Sequence, residues 1–182
     1  MPIGEGFPQR DSRRKFGSLL MKISFRLGLM VGLLAFAASA RANDEKIPLK
    51  DLPKAVTNAI KARFPKAEMT AAEKATEKDK TTYEVEFKDG DKTMEATLTA
   101  AGKFEAIETE VALADLPKAV AAAVTAKYPK GTTKSAEWVI DFDNDKETTY
   151  YEVIVSTGAK KNRELHISRA GKLLSDDEEE DD

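Results

Sequence analysis

The stretch DLPKAVTNAIKARFPK at residues 51–66 decides the fold, because a near copy, DLPKAVAAAVTAKYPK, follows at residues 115–130. Ten of the sixteen positions are identical, and a fixed offset with matched chemistry indicates an internal repeat. In both copies an apolar side chain recurs at every fourth position, which predicts a helix with one apolar stripe. The predicted stripes are Leu52, Val56, Ile60 and Phe64, and Leu116, Val120, Val124 and Tyr128.

The same residues carry signals for both ends of each helix. Asp51 and Asp115 are predicted N-caps, since a carboxylate at that position accepts hydrogen bonds from the free N–H groups of the first turn. Pro65 and Pro129 disfavour helical geometry in the residue before them, so each helix is predicted to end at the preceding aromatic residue. The repeated hexapeptide DLPKAV is therefore a helix-start signal, and its residues serve capping and packing.

After each helix the apolar period changes from 3.6 to 2, which predicts strands joined by glycine-containing turns. The alternating apolar sets are Tyr83/Val85/Phe87 and Met94/Ala96/Leu98 in the first copy, and Trp138/Ile140/Phe142, Tyr151/Val153/Val155 and Leu165/Ile167 in the second. A further strand is expected within residues 67–76. The predicted fold class is α+β, with two tandem repeats that each pack a helix on a three- to four-stranded antiparallel sheet.

Residues 1–42 have the pattern of a secretory signal peptide. An apolar run over residues 27–40 follows Lys22 and Arg26 and ends in Ala-Arg-Ala. Its 14 residues are shorter than the roughly 20 that a membrane-spanning helix needs, so cleavage is favoured and an uncleaved anchor is the alternative. Translation starting at Met21 would give a complete signal peptide, and a twin-arginine signal at residues 12–16 is the alternative. Both predict a periplasmic or secreted protein that has no membrane span after cleavage.

The remaining chain divides into repeat 1 (residues 43–111), repeat 2 (residues 112–175) and a tail (residues 176–182). The tail reads DDEEEDD, and such a run of like charges predicts disorder. The net charge of −3 does not favour nucleic-acid binding, which needs an excess of Lys and Arg. The chain has no cysteine, which excludes disulfides, cysteine-ligated metals and thiol catalysis.

These motifs resemble the PepSY-like, β-lactamase-inhibitor-like repeat of exported bacterial proteins. The resemblance rests on Leu-Pro-x-Ala-Val, a helix ending in aromatic-Pro-Lys, a Tyr-Glu-Val strand and a Gly-Lys turn before the last strand. It covers residues 51–111 and 115–174. It implies helix-on-sheet units that are usually non-enzymatic and that in related proteins bind or inhibit secreted enzymes. The chain departs from the disulfide-bonded inhibitors because it lacks every cysteine.

No residue pattern predicts a catalytic site or a cofactor. His166 is the only histidine, and without cysteine or a second histidine it cannot form a usual zinc site or a Ser–His relay by itself. Alternation places it between two inward-facing apolar residues, so we expect it on the opposite, solvent-facing side of its strand. No pair of acidic residues is marked by an apolar environment as a catalytic acid and base.

The segment DFDNDKETTYYE (residues 141–152) resembles a calcium-binding loop. Asp141, Asp143 and Asp145 occupy positions 1, 3 and 5, and Glu152 occupies position 12. However, Lys146 stands where the loop needs glycine, and the segment joins two strand patterns instead of two helices. We therefore interpret it as an acidic hairpin loop, with weak calcium binding as the alternative.

The sheet face turned away from the helix of repeat 2 is the last candidate site. Alternation assigns to it Val139, Tyr150, Ile154 and His166, whereas the matching face of repeat 1 is polar. Apolar surface with tyrosine is typical of protein contacts, although a neighbouring repeat or loop could instead cover these residues. The leading hypothesis is an exported, non-enzymatic module that binds, and can inhibit, a periplasmic or extracellular protein. The alternative is calcium binding by the acidic loop and the acidic tail.

Overall fold

A computed structural model describes residues 44–77, 80–143, 146–158 and 161–179 of the chain. The predicted signal peptide and the last three residues of the predicted tail lie outside these residues. Within them, neither helix has the length and apolar character needed to cross a bilayer.

The described chain contains two helices, each preceded by a single 3₁₀ turn, and nine strands. The helices are α1 (Lys54–Arg63) and α2 (Lys118–Lys127), and the 3₁₀ turns are Leu49–Asp51 and Leu113–Asp115. The strands are β1 (Asp44–Lys46), β2 (Glu68–Glu77), β3 (Lys80–Asp89), β4 (Lys92–Thr99), β5 (Phe104–Glu110), β6 (Thr132–Asp143), β7 (Lys146–Ser156), β8 (Asn162–Ile167) and β9 (Leu173–Glu179). Strand β2 confirms the weakly patterned strand expected near residues 67–76.

All nine strands of the described chain form one antiparallel sheet in sequence order. The order of 3₁₀ turn, helix and four strands occurs twice, but β5 pairs with β6 from Ala106↔Asp141 to Glu110↔Glu137. The predicted fold class of two separate helix-on-sheet repeats is therefore wrong. The physical reason is that β5 and β6 would each leave unpaired N–H and C=O groups at a sheet edge, and their pairing satisfies both edges.

The helix starts differ from the predicted capping. Asp51 and Asp115 make no side-chain capping hydrogen bond, because each ends a 3₁₀ turn and the next residue is extended. Each α-helix begins one residue later, with Pro53 or Pro117 as its N-cap. The carbonyls of these prolines accept the first helical hydrogen bonds, from the N–H groups of residues 57 and 121. The predicted ends at Phe64 and Tyr128 are confirmed.

Both predicted helix stripes pack on the same face of the sheet. Val56, Ile60 and Val120 are fully buried, and Leu52 and Val124 are nearly so. The first cluster combines the α1 stripe with Val85, Phe87, Ala96, Leu98 and Ile107, and the second combines the α2 stripe with Val153, Val155, Leu165 and Ile167. The period-2 assignment of inward-facing residues is thus confirmed.

The junction between β5 and β6 is reinforced by side chains from both halves of the chain. The rings of Phe104 on β5 and Phe142 on β6 lie 6.0 Å apart, centroid to centroid. The guanidinium of Arg63, at the end of α1, lies over both rings, at 5.7 Å and 5.3 Å. Ile140 and Phe142 of β6 also pack against the first core cluster. The two halves therefore share a core as well as a sheet.

The predicted disordered tail is wrong for residues 176–179, which belong to β9. Asp176 binds three side chains: Arg163 Nε donates to Oδ1 at 2.8 Å, Tyr128 donates its hydroxyl at 2.9 Å, and Lys127 Nζ lies 3.0 Å from Oδ2. Like-charge repulsion favours disorder only where acidic groups lack counter-charges, and these partners supply two. Asp176 therefore ties β9 to the end of α2.

Gly102, in the turn between β4 and β5, is expected to be sensitive to substitution. Its φ is +79°, and an added Cβ would lie 2.5 Å from the backbone oxygen of Ala55 in α1. Gly102→Ala should therefore lower the free energy of unfolding by about 2 kcal/mol, measured by urea titration. Gly90→Ala is the control, because Gly90 also has positive φ but has open space around it. Equal losses of unfolding free energy in both variants would show that the close approach of Gly102 to α1 does not contribute to the effect.

Candidate functional site

Glutamates dominate the sheet face opposite the helices, which we call the acidic face. Because successive side chains of a strand alternate between faces, the residues between the core positions share this surface. The glutamates that the strand register places there include Glu73, Glu84, Glu86, Glu95, Glu108, Glu110, Glu137, Glu152 and Glu164. Glu84 and Glu164 are buried, at 4% and 6% exposure. The opposite face is therefore both acidic and partly shielded from solvent.

Three of these glutamates form a cross-strand ladder, which we call the glutamate ladder. Glu86 on β3 pairs with Glu95 on β4, and Glu95 pairs with Glu108 on β5. Directly opposed side chains lie about 5 Å apart at Cβ, where like charges repel. Burial and the Glu86 charge raise the pKa of Glu95 to about 7. Burial, together with neighbours that include Glu137 and Glu95, raises the pKa of Glu108 to about 9.

A second row crosses the four adjacent strands from β5 to β8. Glu110 pairs with Glu137, Glu137 with Glu152, and Glu152 with His166. Burial, followed by the Glu152 charge, raises the pKa of Glu137 to about 8. Burial and the Glu73 charge also raise the pKa of Glu86, the first member of the glutamate ladder. Burial is the larger cause in both cases, and repulsion between neighbouring carboxylates adds to it.

His166 lies at the end of the second row and contacts two carboxylates. Its Nε2 lies 2.9 Å from Oε1 of Glu164 and 3.3 Å from Oε2 of Glu152. The ring of Tyr150 stacks on the imidazole, with centroids 4.3 Å apart and planes 26° from parallel. Burial lowers the pKa of His166, but hydrogen bonds with Glu152 and Glu164 outweigh it and raise the pKa to about 9. His166 therefore lies on the expected side of its strand, but it is only 25% exposed and is held by two carboxylates.

The predicted contact residues of repeat 2 share the acidic face but are not equally accessible. Tyr150, Ile154 and His166 are partly exposed, whereas Val139 is only 2% exposed and cannot touch a partner in this state. The face is also not mainly apolar, because Glu137, Glu152 and Glu164 lie among these residues. The same alternation that identified Tyr150 and His166 could have identified these glutamates in the sequence.

The three predicted calcium ligands that lie within the described residues are not brought together. Asp141 and Asp143 lie at the end of β6, opposite Thr148 and Lys146, and Asp145 lies outside the described residues. Glu152 lies four residues further along β7 than Thr148, about 13 Å away. It contacts His166 instead. A strand keeps these side chains apart, whereas a calcium loop would curl them around one ion.

The arrangement favours binding over bond-making chemistry. The pKa values of all three carboxyl groups in the glutamate ladder are raised by burial and by neighbouring charges, and their oxygens only accept hydrogen bonds once ionised. A group that carries positive charge or several N–H donors would relieve the repulsion between them. The acidic face is therefore suited to hold cations or cationic side chains.

A model of the family described as beta-lactamase-inhibitor-like, PepSY-like matches residues 39–106 and again residues 81–175. A BLIP-like protein from Bacteroides fragilis has a similar structure, with a TM-score of 0.56 at 22% identity over 71% of this chain and 89% of that one. A DUF2874-family protein from Bacteroides uniformis gives 0.58 at 17% identity, covering 69% and 88%.

A protein from Bacteroides eggerthii that is described as periplasmic gives a TM-score of 0.56 at 18% identity, covering 69% of this chain and 88% of its own. A search of curated protein sequences finds no match. At these identities the solved structures establish a shared fold. None of the matched families or structures is described as catalytic.

Proposed function

Because the chain belongs to the beta-lactamase-inhibitor-like, PepSY-like family, we propose that it is an exported, non-enzymatic module that binds another protein. The periplasm is its place of action, in keeping with the N-terminal signal-peptide pattern and with the periplasmic description of a structural relative. The partner is a periplasmic or extracellular protein. Where that partner is an enzyme, binding inhibits it by covering its surface.

The glutamate ladder is the observation that carries this proposal. Three carboxyl groups stand side by side on neighbouring strands, and the charge of Lys46, which lowers the pKa of Glu86, offsets the repulsion only in part because the pKa of Glu86 is still raised. A lysine or arginine placed over the ladder would lower the pKa values of these groups and favour their charged forms. The partner therefore presents a cationic segment, and its association is accompanied by proton release.

Two partly exposed residues on β7, elsewhere on the acidic face, supply apolar contact. Tyr150 and Ile154 lie four residues apart on β7, about 13 Å, and point to the same face. Tyrosine buries a large area at a low cost in conformational entropy, so it suits an anchor at the edge of a charged surface. We propose Tyr150 and Ile154 as contacts that flank the cationic segment.

The test compares two variants that each replace three carboxyl groups by amides. The ladder variant carries Glu86→Gln, Glu95→Gln and Glu108→Gln, and the matched control carries Asp51→Asn, Asp91→Asn and Asp115→Asn at exposed turns. Each protein is immobilised and exposed to envelope extract from the source cells, and the bound protein is quantified. We expect the ladder variant to recover less than one-tenth of the partner and the control to match the unaltered protein.

Salt dependence supplies the second measurement of the same interaction. Raising the salt from about 0.05 M to about 0.3 M should weaken binding of the unaltered protein, because the Debye length shrinks and the cationic segment is screened. Equal recovery of the same partner by the ladder variant would contradict the proposed surface. Equal loss in both variants would show that overall charge, and not the ladder, drives binding.

A further inference from the structure

The strongest remaining cluster on the molecule is formed by His166, Glu164 and Glu152. One ligand atom from each side chain lies within 4.8 Å of the others, and this is the one such group in the described part of the chain. Glu164 is 8% exposed at its side chain, whereas His166 and Glu152 are 25% and 20% exposed. The cluster therefore has one ligand that is shielded from solvent and two that solvent can reach.

Two distances within the cluster are close to those between the ligand atoms of a metal site, and the third, between the two carboxylate oxygens, is at most 4.8 Å. In a tetrahedral site with metal–ligand bonds of about 2.0–2.1 Å, ligand atoms lie about 3.3 Å from each other. Nε2 of His166 lies 2.9 Å and 3.3 Å from the two carboxylate oxygens. Adjacent strands hold all three residues, since His166 pairs directly with Glu152 and Glu164 lies two residues before His166. The ligand atoms therefore converge without a change in the backbone.

Charge balance also favours a divalent cation at this point. A single N–H at Nε2 has to serve two carboxylates, and a protonated imidazole cancels only one of their two negative charges. A divalent ion bound by a neutral imidazole and two carboxylates cancels both. Glu137, which pairs with Glu152 on the adjacent strand, adds further negative potential.

A fourth side chain provides independent support. Ser175 on β9 pairs directly with His166, so it occupies the same face. Its Oγ is shielded from solvent and has no hydrogen-bond partner within the described residues. A buried hydroxyl without a partner costs free energy, and a bound ion or its water would satisfy it. The ring of Tyr150, stacked on the imidazole, holds the plane of His166 towards the two carboxylates.

We propose that His166, Glu164 and Glu152 form a binding site for a divalent transition metal such as Zn²⁺, with Ser175 beside the fourth position. Imidazole with carboxylate ligands suits zinc and neighbouring transition metals, whereas calcium takes oxygen ligands and has little use for the imidazole. This site differs from the predicted calcium loop, with which it shares only Glu152, and does not depend on the proposed protein partner. Its occupant is the metal ion alone.

The first test uses the unaltered full chain with Zn²⁺ as the probe. The chain has one histidine, so the imidazole signals in an NMR spectrum belong to His166 without further assignment. We expect one equivalent of Zn²⁺ to shift these signals, and an excess of Ca²⁺ to leave them nearly unchanged. Imidazole signals that do not respond to Zn²⁺ would overturn the proposal, and so would an equal response to both ions.

Variants then separate the site from general attraction to the acidic face. Calorimetry should show that His166→Gln and Glu164→Gln each weaken Zn²⁺ binding at least tenfold, since each removes one ligand. Glu110→Gln is the control, because it removes the same charge from the exposed end of the same row, and we expect less than a twofold change. Losses of similar size in all three variants would overturn the assigned ligands, and a thermal melt of each variant checks that it is folded.

Discussion

Replacing Ile60 by alanine is expected to lower the free energy of unfolding by about 3–4 kcal/mol. Ile60 is fully buried in the middle of α1, where it packs into the first core cluster. The substitution removes three buried carbons, and the sheet beneath the helix cannot collapse to fill the cavity. Urea titration measures the loss. Val124→Ala in α2 should cost less, about 2 kcal/mol, because the valine is smaller and 5% exposed.

The same titrations test whether the two halves unfold together. Strands β5 and β6 join the halves, and Arg63, Phe104 and Phe142 pack across the junction. We therefore expect a single transition that moves as a whole in both variants. Lys61→Ala, at an exposed position next to Ile60, is the control and should change stability by less than about 0.5 kcal/mol. Two separated transitions would show that the halves are independent.

The stability of the unaltered protein is expected to fall as the pH rises from about 5 to about 9. A glutamate whose pKa is raised by folding holds its proton more tightly in the folded state, so ionisation of the unfolded chain above its ordinary pKa of 4.5 favours unfolding. The loss continues until the folded pKa is reached, about 7 for Glu95 and about 9 for Glu108. For Glu95 alone the loss amounts to roughly 3 kcal/mol, and Glu108 adds to it.

The ladder variant tests whether the glutamate ladder causes this pH dependence of stability. Glutamine keeps the shape of each side chain and cannot ionise, so the variant should be more stable than the unaltered protein at pH 8 and nearly equal to it at pH 4.5. The matched control should keep the full pH dependence. Some pH dependence of stability should remain in the ladder variant because of His166. Folding raises the pKa of its imidazole to about 9, so the stabilisation it contributes is complete below about pH 6.5 and is lost as the pH rises. Thermal melts at several pH values measure both effects, and parallel curves for the two variants would contradict the assignment.

The acidic face could be predicted in part from the sequence. Period-2 alternation correctly placed Tyr150, Ile154 and His166 on the face away from the helices, and it would have placed Glu137 and Glu164 there as well. It could not show which residues stand side by side, because the strand register depends on how separate segments pair. The contact of His166 with Glu152 across β7 and β8 depends on that pairing. The packing that leaves Val139 buried beneath this surface depends on it as well.

The sequence by itself determined the helices, their buried stripes and the alternating strands, because these follow from the local periodicity of apolar residues and from proline positions. Only the tertiary structure decided that two copies of one pattern make a single nine-stranded sheet. That outcome depends on hydrogen bonds between the backbones of β5 and β6, which no side-chain pattern encodes. The tertiary structure also decided that residues 176–179 are ordered as part of β9. Asp176 contacts Lys127 and Arg163 only after the chain has folded. Periodicity within a segment is local information, whereas strand pairing and charge compensation arise between segments that are distant in the chain.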